Sequence, residues 1–209
     1  MVSSMTDLHR ALSEIHLIRG QIARTAEFRG YGTATLAVTG ALALIAAGLQ
    51  AVLFSDSAYG VRTYLAIWVA TAAVSLIIII IEALVRAQRV HSGLAIEMVH
   101  CALEQFMPAI VAGLLVTVVL FKAAPASLWM LPGLWQVLFS MGVFSSSRVL
   151  PRPMFAVGVW YLATGLGCLA FGGGQLAFSP WLMGVPFGIG QLLVALVLQF
   201  GYARADDEA

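Results

Sequence analysis

The chain alternates between long stretches without charge and short segments that hold nearly all of its charged residues. A helix needs about 20 apolar residues to cross roughly 30 Å of hydrocarbon, and most of these stretches are long enough. The longest, from Pro153 to Ala203, is too long for one helix and divides at Gly172-Gly-Gly-Gln175 and Ser179-Pro180. The pattern predicts an all-α integral membrane protein with six transmembrane helices, at about residues 31–54, 63–85, 107–122, 128–147, 154–171 and 181–202. In the turn before the fourth of these helices, Ser127 is the predicted N-cap.

Two further segments have the pattern of amphipathic helices. The first lies within residues 1–30, where Leu8, Leu12 and Ile15 share one face. The second covers about residues 87–106 and leads into the third span. We therefore expect a cytoplasmic amphipathic helix at 1–30, followed by a six-span bundle at 31–209 with an interfacial helix at about 87–106.

Composition supports a membrane location and excludes nucleic acid as a partner. Hydrophobic residues make up 61% of the chain and charged residues 10%, with a mean hydropathy of +0.95, whereas soluble domains carry about 25% charge. The net charge is +1 and no basic patch occurs. Lys122 is the single lysine beside ten arginines, which favours a GC-rich bacterial genome. Cys101 and Cys168 cannot define a disulfide framework, so both are expected as free thiols.

Basic residues in the short segments between spans predict the orientation. One side holds only Arg62 and Lys122. The other side, predicted to be cytoplasmic, holds Arg10, Arg19, Arg24, Arg29, Arg86, Arg89, Arg148, Arg152 and Arg204. The aromatic residues Tyr59, Tyr64, Trp129 and Trp181 would all lie near the outer interface. No cleavable signal is apparent, and both termini are expected in the cytoplasm of a bacterium, with the spans in its inner membrane.

A metal site is one candidate for chemistry. Glu97, His100, Cys101 and Glu104 follow a spacing that places them on one face of the second amphipathic helix. Such a stripe can ligate a metal, and a Glu-x-x-His pair recurs in di-metal helix bundles. A single copy of this pattern is also typical of the solvated face of an amphipathic helix that lies in the headgroup region.

The second candidate is Glu82, an acid inside the predicted second span. Charged residues in a span are usually functional, which makes Glu82 a candidate proton or cation site. It lies about one turn from the predicted cytoplasmic surface, so an ion pair with Arg86 four residues later is the alternative.

The third candidate is a pocket at Met183-Gly-Val-Pro-Phe-Gly-Ile-Gly-Gln191 in the sixth span. Pro186 removes a helix hydrogen bond, and Gly184 and Gly188 remove side-chain bulk, as in the interrupted helices that bind solutes in transporters. Gln191 and Gln136 could line such a pocket. Alternatively, the glycines let a neighbouring helix approach closely, and the glutamines join helices by hydrogen bonds.

Two classes of function remain, because no nucleotide-binding, hydrolase or CxxC motif occurs and no histidine lies in a span. The first is a permease or channel-like protein for a small neutral or apolar solute. The second is a regulatory or scaffolding protein that acts through its cytoplasmic amphipathic helices, with metal sensing as a variant. The sequence names no cofactor and disfavours an enzyme. Its expected partner is the lipid bilayer, and small-residue faces allow, but do not require, association with further copies of the chain.

Overall fold

A computed structural model of the protein describes residues 32–53, 60–90, 93–146 and 153–207. These residues form α-helices and two short 3-10 helices, and no strand occurs among them. The α-helices are α1 (Gly32–Leu53), α2 (Val61–Val90), α3 (Gly93–Ala123), α4 (Leu131–Ser146), α5 (Met154–Phe171) and α6 (Trp181–Asp207). The 3-10 helix Pro125–Met130 leads into α4, and Gly174–Leu176 lies between α5 and α6.

Within the described ranges, six helical segments are long and apolar enough to cross a membrane, which confirms the predicted number. They suggest a multi-pass membrane protein. A long apolar stretch becomes a helix in such a setting because only the helix satisfies every backbone N–H and C=O internally. The fourth segment, Pro125–Ser146, includes the 3-10 helix as well as α4.

Neighbouring helices run antiparallel, and α1 packs along α6 to close the bundle. Arg62, at the start of α2, contacts Phe121 near the end of α3, and Phe106 of α3 lies against Gly142 of α4. We call the end of the bundle where α2 begins the Arg62 end. The opposite end, where α4 stops, is called the Ser146 end.

The segment predicted as a separate interfacial helix is divided between two long helices. Residues 87–90 are the end of α2, and the part from Gly93 onward is continuous with the third span in α3. Pro108 lies inside α3 without ending it, as prolines in membrane helices often do. The amphipathic helix predicted within residues 1–30 lies outside the described residues. The interfacial location of both segments therefore stays a prediction.

The predicted helix start at Ser127 is wrong. The 3-10 helix begins at Pro125, and its cap residue Ala124 makes no side-chain hydrogen bond. Ser127 lies inside this helix and donates its backbone N–H to the carbonyl oxygen of Ala124 at 2.9 Å. The reason is that proline fixes φ near the helical value and needs no hydrogen-bond partner in the first turn.

Two hydrophobic clusters fill the interior. The first, in the half toward the Arg62 end, consists of Ala43, Ala47, Tyr64, Leu65, Trp68, Leu128, Leu131 and Met183. The second, in the half toward the Ser146 end, consists of Val143, Met154, Val157, Tyr161 and Val194. Phe187 packs against both clusters. In contrast, the spanning part of α3, Glu104–Ala123, contributes no fully buried residue.

Candidate functional site

The glycines of the predicted pocket are in close contact with α1. Gly184 and Gly188 are buried, and a Cβ added at Gly188 would lie 2.5 Å from the Leu44 side chain. A Cβ at Gly184 would overlap the Ala47 methyl group. Side chains of α1 therefore fill the space that these glycines leave. This agrees with the alternative interpretation of the motif, in which the glycines let a neighbouring helix approach closely.

Pro186 is buried but does not break α6, which continues from Trp181 to Asp207. Since proline has no N–H, the carbonyl oxygen of Leu182 loses its usual partner four residues later. The side chain of Gln136 replaces it, because its Nε2 donates to Leu182 O at 2.8 Å. The carbonyl oxygen of Pro186 accepts a further hydrogen bond from Trp160 Nε1 at 3.0 Å.

Gln136 thereby joins three helices at one fully buried point. Besides its bond to α6, Nε2 lies 3.1 Å from the carbonyl oxygen of Pro132 in α4 and 3.5 Å from Cys168 Sγ in α5. Cys168 is a free, buried thiol whose Sγ is 3.6 Å from Leu182 O. Of the predicted pocket residues, Gln136 is the one that bonds to the carbonyl oxygen that Pro186 leaves without its backbone donor. Its Oε1 has no hydrogen-bond partner among the described residues.

Three other side chains with buried polar atoms lie in the same half of the bundle: Tyr64 and Trp68 belong to the first hydrophobic cluster, and Gln50 follows Ala47 of that cluster along α1. Tyr64 and Trp68 are 4% and 3% exposed, and their ring centroids are 6.3 Å apart. Gln50, one turn beyond Ala47 on α1, is 7% exposed. The Tyr64 hydroxyl, Trp68 Nε1 and Gln50 Oε1 have no partner within the described part of the chain. Gln50, Tyr64, Trp68 and Gln136 share deep burial and an unpartnered polar atom, and on that basis we call them the interior polar cluster.

Sequence reasoning missed most of this cluster. Tyr64 does lie near the Arg62 end, as its predicted interfacial position requires, but its side chain is directed into the bundle. Trp181, from the same predicted group, is 49% exposed. One available signal was the spacing of Tyr64 and Trp68, four residues apart on one face of α2. Another was Gln50, the single amide side chain in α1.

A depression of about 580 Å³ lies at the Arg62 end of the bundle. It is lined by Gly60, Val61, Arg62, Thr63, Phe121, Pro125 and Leu128. The Arg62 guanidinium lies over the Phe121 ring, 5.7 Å from its centroid. Leu128 also belongs to the first hydrophobic cluster, and Val61 packs against it. The depression and the cluster that holds Tyr64 and Trp68 therefore share Leu128.

The predicted metal residues are placed only in part. Glu97, His100 and Cys101 lie on α3, but their side chains are outside the described set, whereas Glu104 is exposed. Among the described side chains, no three metal-binding residues come together. Glu82 is half-buried on α2 and takes part in an interaction. Both the metal site and the proton or cation site stay predictions.

Further toward the Ser146 end lies Gln191, the last predicted pocket residue. A Cβ at Gly40 of α1 would be 3.0 Å from the Gln191 Cβ, so the two helices are close here too. The Gln191 Oε1 is buried and has no partner in the described ranges.

Comparison of the chain with models of protein families, with curated proteins and with solved structures finds no match in any of the three.

Proposed function

We propose that this protein is a permease or channel-like protein for a small, uncharged polar solute, with six crossings of a bacterial inner membrane and both termini in the cytoplasm. The observation that supports the solute class is the interior polar cluster. Its four side chains come from α1, α2 and α4, and all are more than nine-tenths buried. Each has a polar atom without a hydrogen-bond partner among the described residues.

Burial of such atoms is costly because an apolar surrounding offers them no hydrogen bond. A bound solute removes that cost if it brings both donors and acceptors. The amide oxygens of Gln50 and Gln136 accept hydrogen bonds, Trp68 donates one, and the Tyr64 hydroxyl does either. None of the four side chains carries a charge, so an ion would be desolvated there without a counter-charge. The cluster therefore favours a neutral solute that carries both hydrogen-bond donors and acceptors, as urea and glycerol do.

In this proposal the solute binds beside the glycine–proline segment, and not within it. Gly184 and Gly188 hold α6 against α1, while Gln136 fixes α6 to α4 and α5 at Leu182. The depression at the Arg62 end is the entry from the outer side, and Leu128 belongs both to its lining and to the first hydrophobic cluster. The exposed apolar surfaces of α2 and α3 face lipid.

The regulatory or scaffolding function stays an alternative prediction. It depends on residues 1–31 and on the side chains of residues 86–103, which lie outside the described set.

The test is solute permeability of the purified full-length chain in liposomes, measured by stopped-flow light scattering with urea and glycerol as probes. We expect faster swelling than in protein-free liposomes for at least one probe. Tyr64→Phe and Trp68→Phe should each slow it by about 3- to 10-fold, the equivalent of one hydrogen bond. Trp181→Phe is the matched control, because Trp181 is exposed on α6.

Two results would overturn the proposal. One is wild-type protein with a native circular-dichroism spectrum that transports neither probe faster than protein-free liposomes. The other is transport that Tyr64→Phe and Trp68→Phe leave as fast as Trp181→Phe does.

A further inference from the structure

A second group of buried polar atoms lies beyond the interior polar cluster, toward the Ser146 end. Tyr161 of α5 is fully buried, and its hydroxyl has no hydrogen-bond partner among the described residues. The hydroxyl lies against Gly190 of α6, where any Cβ would overlap it. Gln191, the next residue, has its unpartnered Oε1 buried. A phenol hydroxyl and an amide oxygen are thus available on adjacent helices.

Phe187 lies between the two groups. It packs against the first hydrophobic cluster, which holds Tyr64 and Trp68, and against the second, which holds Tyr161. Its ring centroid is 5.2 Å from that of Tyr161 and 5.4 Å from that of Phe139. Because residues three and four apart share a helix face, Phe187 lies on the same side of α6 as Gly190 and Gln191.

We infer that the solute route has two polar positions, the interior polar cluster and a second position formed by the Tyr161 hydroxyl and the Gln191 side-chain oxygen, with the Phe187 ring as the barrier between them. This inference rests on the proposed function. The second position accepts and donates hydrogen bonds, as the first does, so it takes the same class of neutral polar solute. The ring of Phe187 offers no hydrogen bond, which makes the passage between the positions the slow step.

Gly190 has a defined part in this arrangement. Since the Tyr161 hydroxyl occupies the space where a side chain would begin, Gly190→Ala must displace the phenol. Gly167→Ala in α5 is a matched control, because a Cβ there meets nothing within 4 Å.

The experiment uses the same liposome assay with variants of the barrier and of the second position. Phe187→Ala should raise urea and glycerol permeability by about tenfold or more, since a lowering of the barrier by about 1.4 kcal/mol is tenfold in rate. Phe187→Leu should give a smaller increase and serves if Phe187→Ala does not fold. Tyr161→Phe and Gly190→Ala should slow transport about 3- to 10-fold. Phe155→Ala is the control for loss of a phenyl ring, because Phe155 is 59% exposed on α5.

The outcomes separate this inference from the proposed function. If the wild-type protein transports and Tyr64→Phe slows it, but folded Phe187→Leu and Tyr161→Phe transport as the wild type does, the two-position route is wrong and the proposed function stands. If the wild-type protein transports neither probe, the proposed function fails and the route fails with it.

Discussion

At the scale of single residues, Gln136 joins helices by hydrogen bonds, which was the predicted alternative to a place in a solute pocket. Pro186 leaves the Leu182 carbonyl oxygen without its backbone donor, and the Gln136 amide donates to that oxygen at 2.8 Å. An acceptor left unpaired inside the bundle would cost about 1 to 3 kcal/mol. Gln136 therefore allows a proline within α6, while its Oε1 has no hydrogen-bond partner among the described residues.

This role predicts an energetic coupling between Gln136 and Pro186. Gln136→Leu should lower the free energy of unfolding by about 1 to 3 kcal/mol, because Leu182 O loses its donor. In the Pro186→Ala background the loss should be smaller, since the N–H at position 186 can then bond to Leu182 O. The four proteins form a double-mutant cycle, measured by reversible unfolding in mixed micelles.

Gln199→Leu is the control for this cycle, because Gln199 is exposed on the same helix as Pro186. It should show no coupling to Pro186→Ala. Equal losses from Gln136→Leu in both backgrounds would show that the amide does not substitute for the missing backbone donor.

Prediction from sequence was least complete at this scale. Gln136 and Gln191 were identified as interior residues because amides in a span must find partners. Tyr64 was predicted to lie at the membrane surface, and its depth along α2 agrees, but depth does not determine which way a side chain faces. That direction depends on how α2 is rotated against α1, and in the folded bundle Tyr64 and Trp68 share a buried cluster with Ala47 of α1.

At the scale of helices, the contact between α1 and α6 depends on small residues. Gly184 allows Ala47 to approach, and Gly188 accommodates Leu44. Close approach of two helices maximises van der Waals packing, which is a main source of helix association in a membrane. The seam between α1 and α6 is therefore defined by the fit of Gly184 and Gly188 to side chains of α1.

We predict that Gly184→Ala destabilises the protein by about 1 to 3 kcal/mol, as overpacking does in a well-packed interior. Gly48→Ala on α1 should not, because a Cβ there meets nothing within 4 Å. Ala47→Gly should restore part of the loss caused by Gly184→Ala, since it removes the methyl group that the new side chain would overlap. Thermal unfolding of the purified variants provides the comparison, and equal midpoints for Gly184→Ala and Gly48→Ala would contradict the described packing.

The number and extent of the helices were largely predictable, because a charge-free stretch of membrane-spanning length has few alternatives to a helix. The continuity of α3 was not. Residues 93–106 and the third span form one helix, although the sequence predicted an interfacial helix at about 87–106 and a span that begins at 107. A change in polarity along a helix marks a change of surroundings and need not mark an end of the helix.

At the scale of the whole molecule, the antiparallel order of the helices predicts the sides on which the connections lie. Reporter fusions after Ser146 and after Asp207 should be active on the same side of the membrane, and a fusion after Ala124 should be active on the opposite side. The basic residues assign the first two to the cytoplasm. Paired alkaline phosphatase and green fluorescent protein fusions measure this, and opposite results at Ser146 and Asp207 would contradict the two crossings, α5 and α6, between these positions.

The seam between α1 and α6 also bears on how the protein is made. It joins the first and the last α-helices in the described part of the chain, so the bundle cannot close until α6 has been synthesised. Until then the α1 surface that contacts Gly184 and Gly188 is not covered by α6. Chains are synthesised at about 5 to 20 residues per second, and α1 and α6 begin about 150 residues apart, so the wait lasts roughly 7 to 30 seconds. During that interval, nascent chains are most exposed to mispairing with one another and to membrane quality-control proteases.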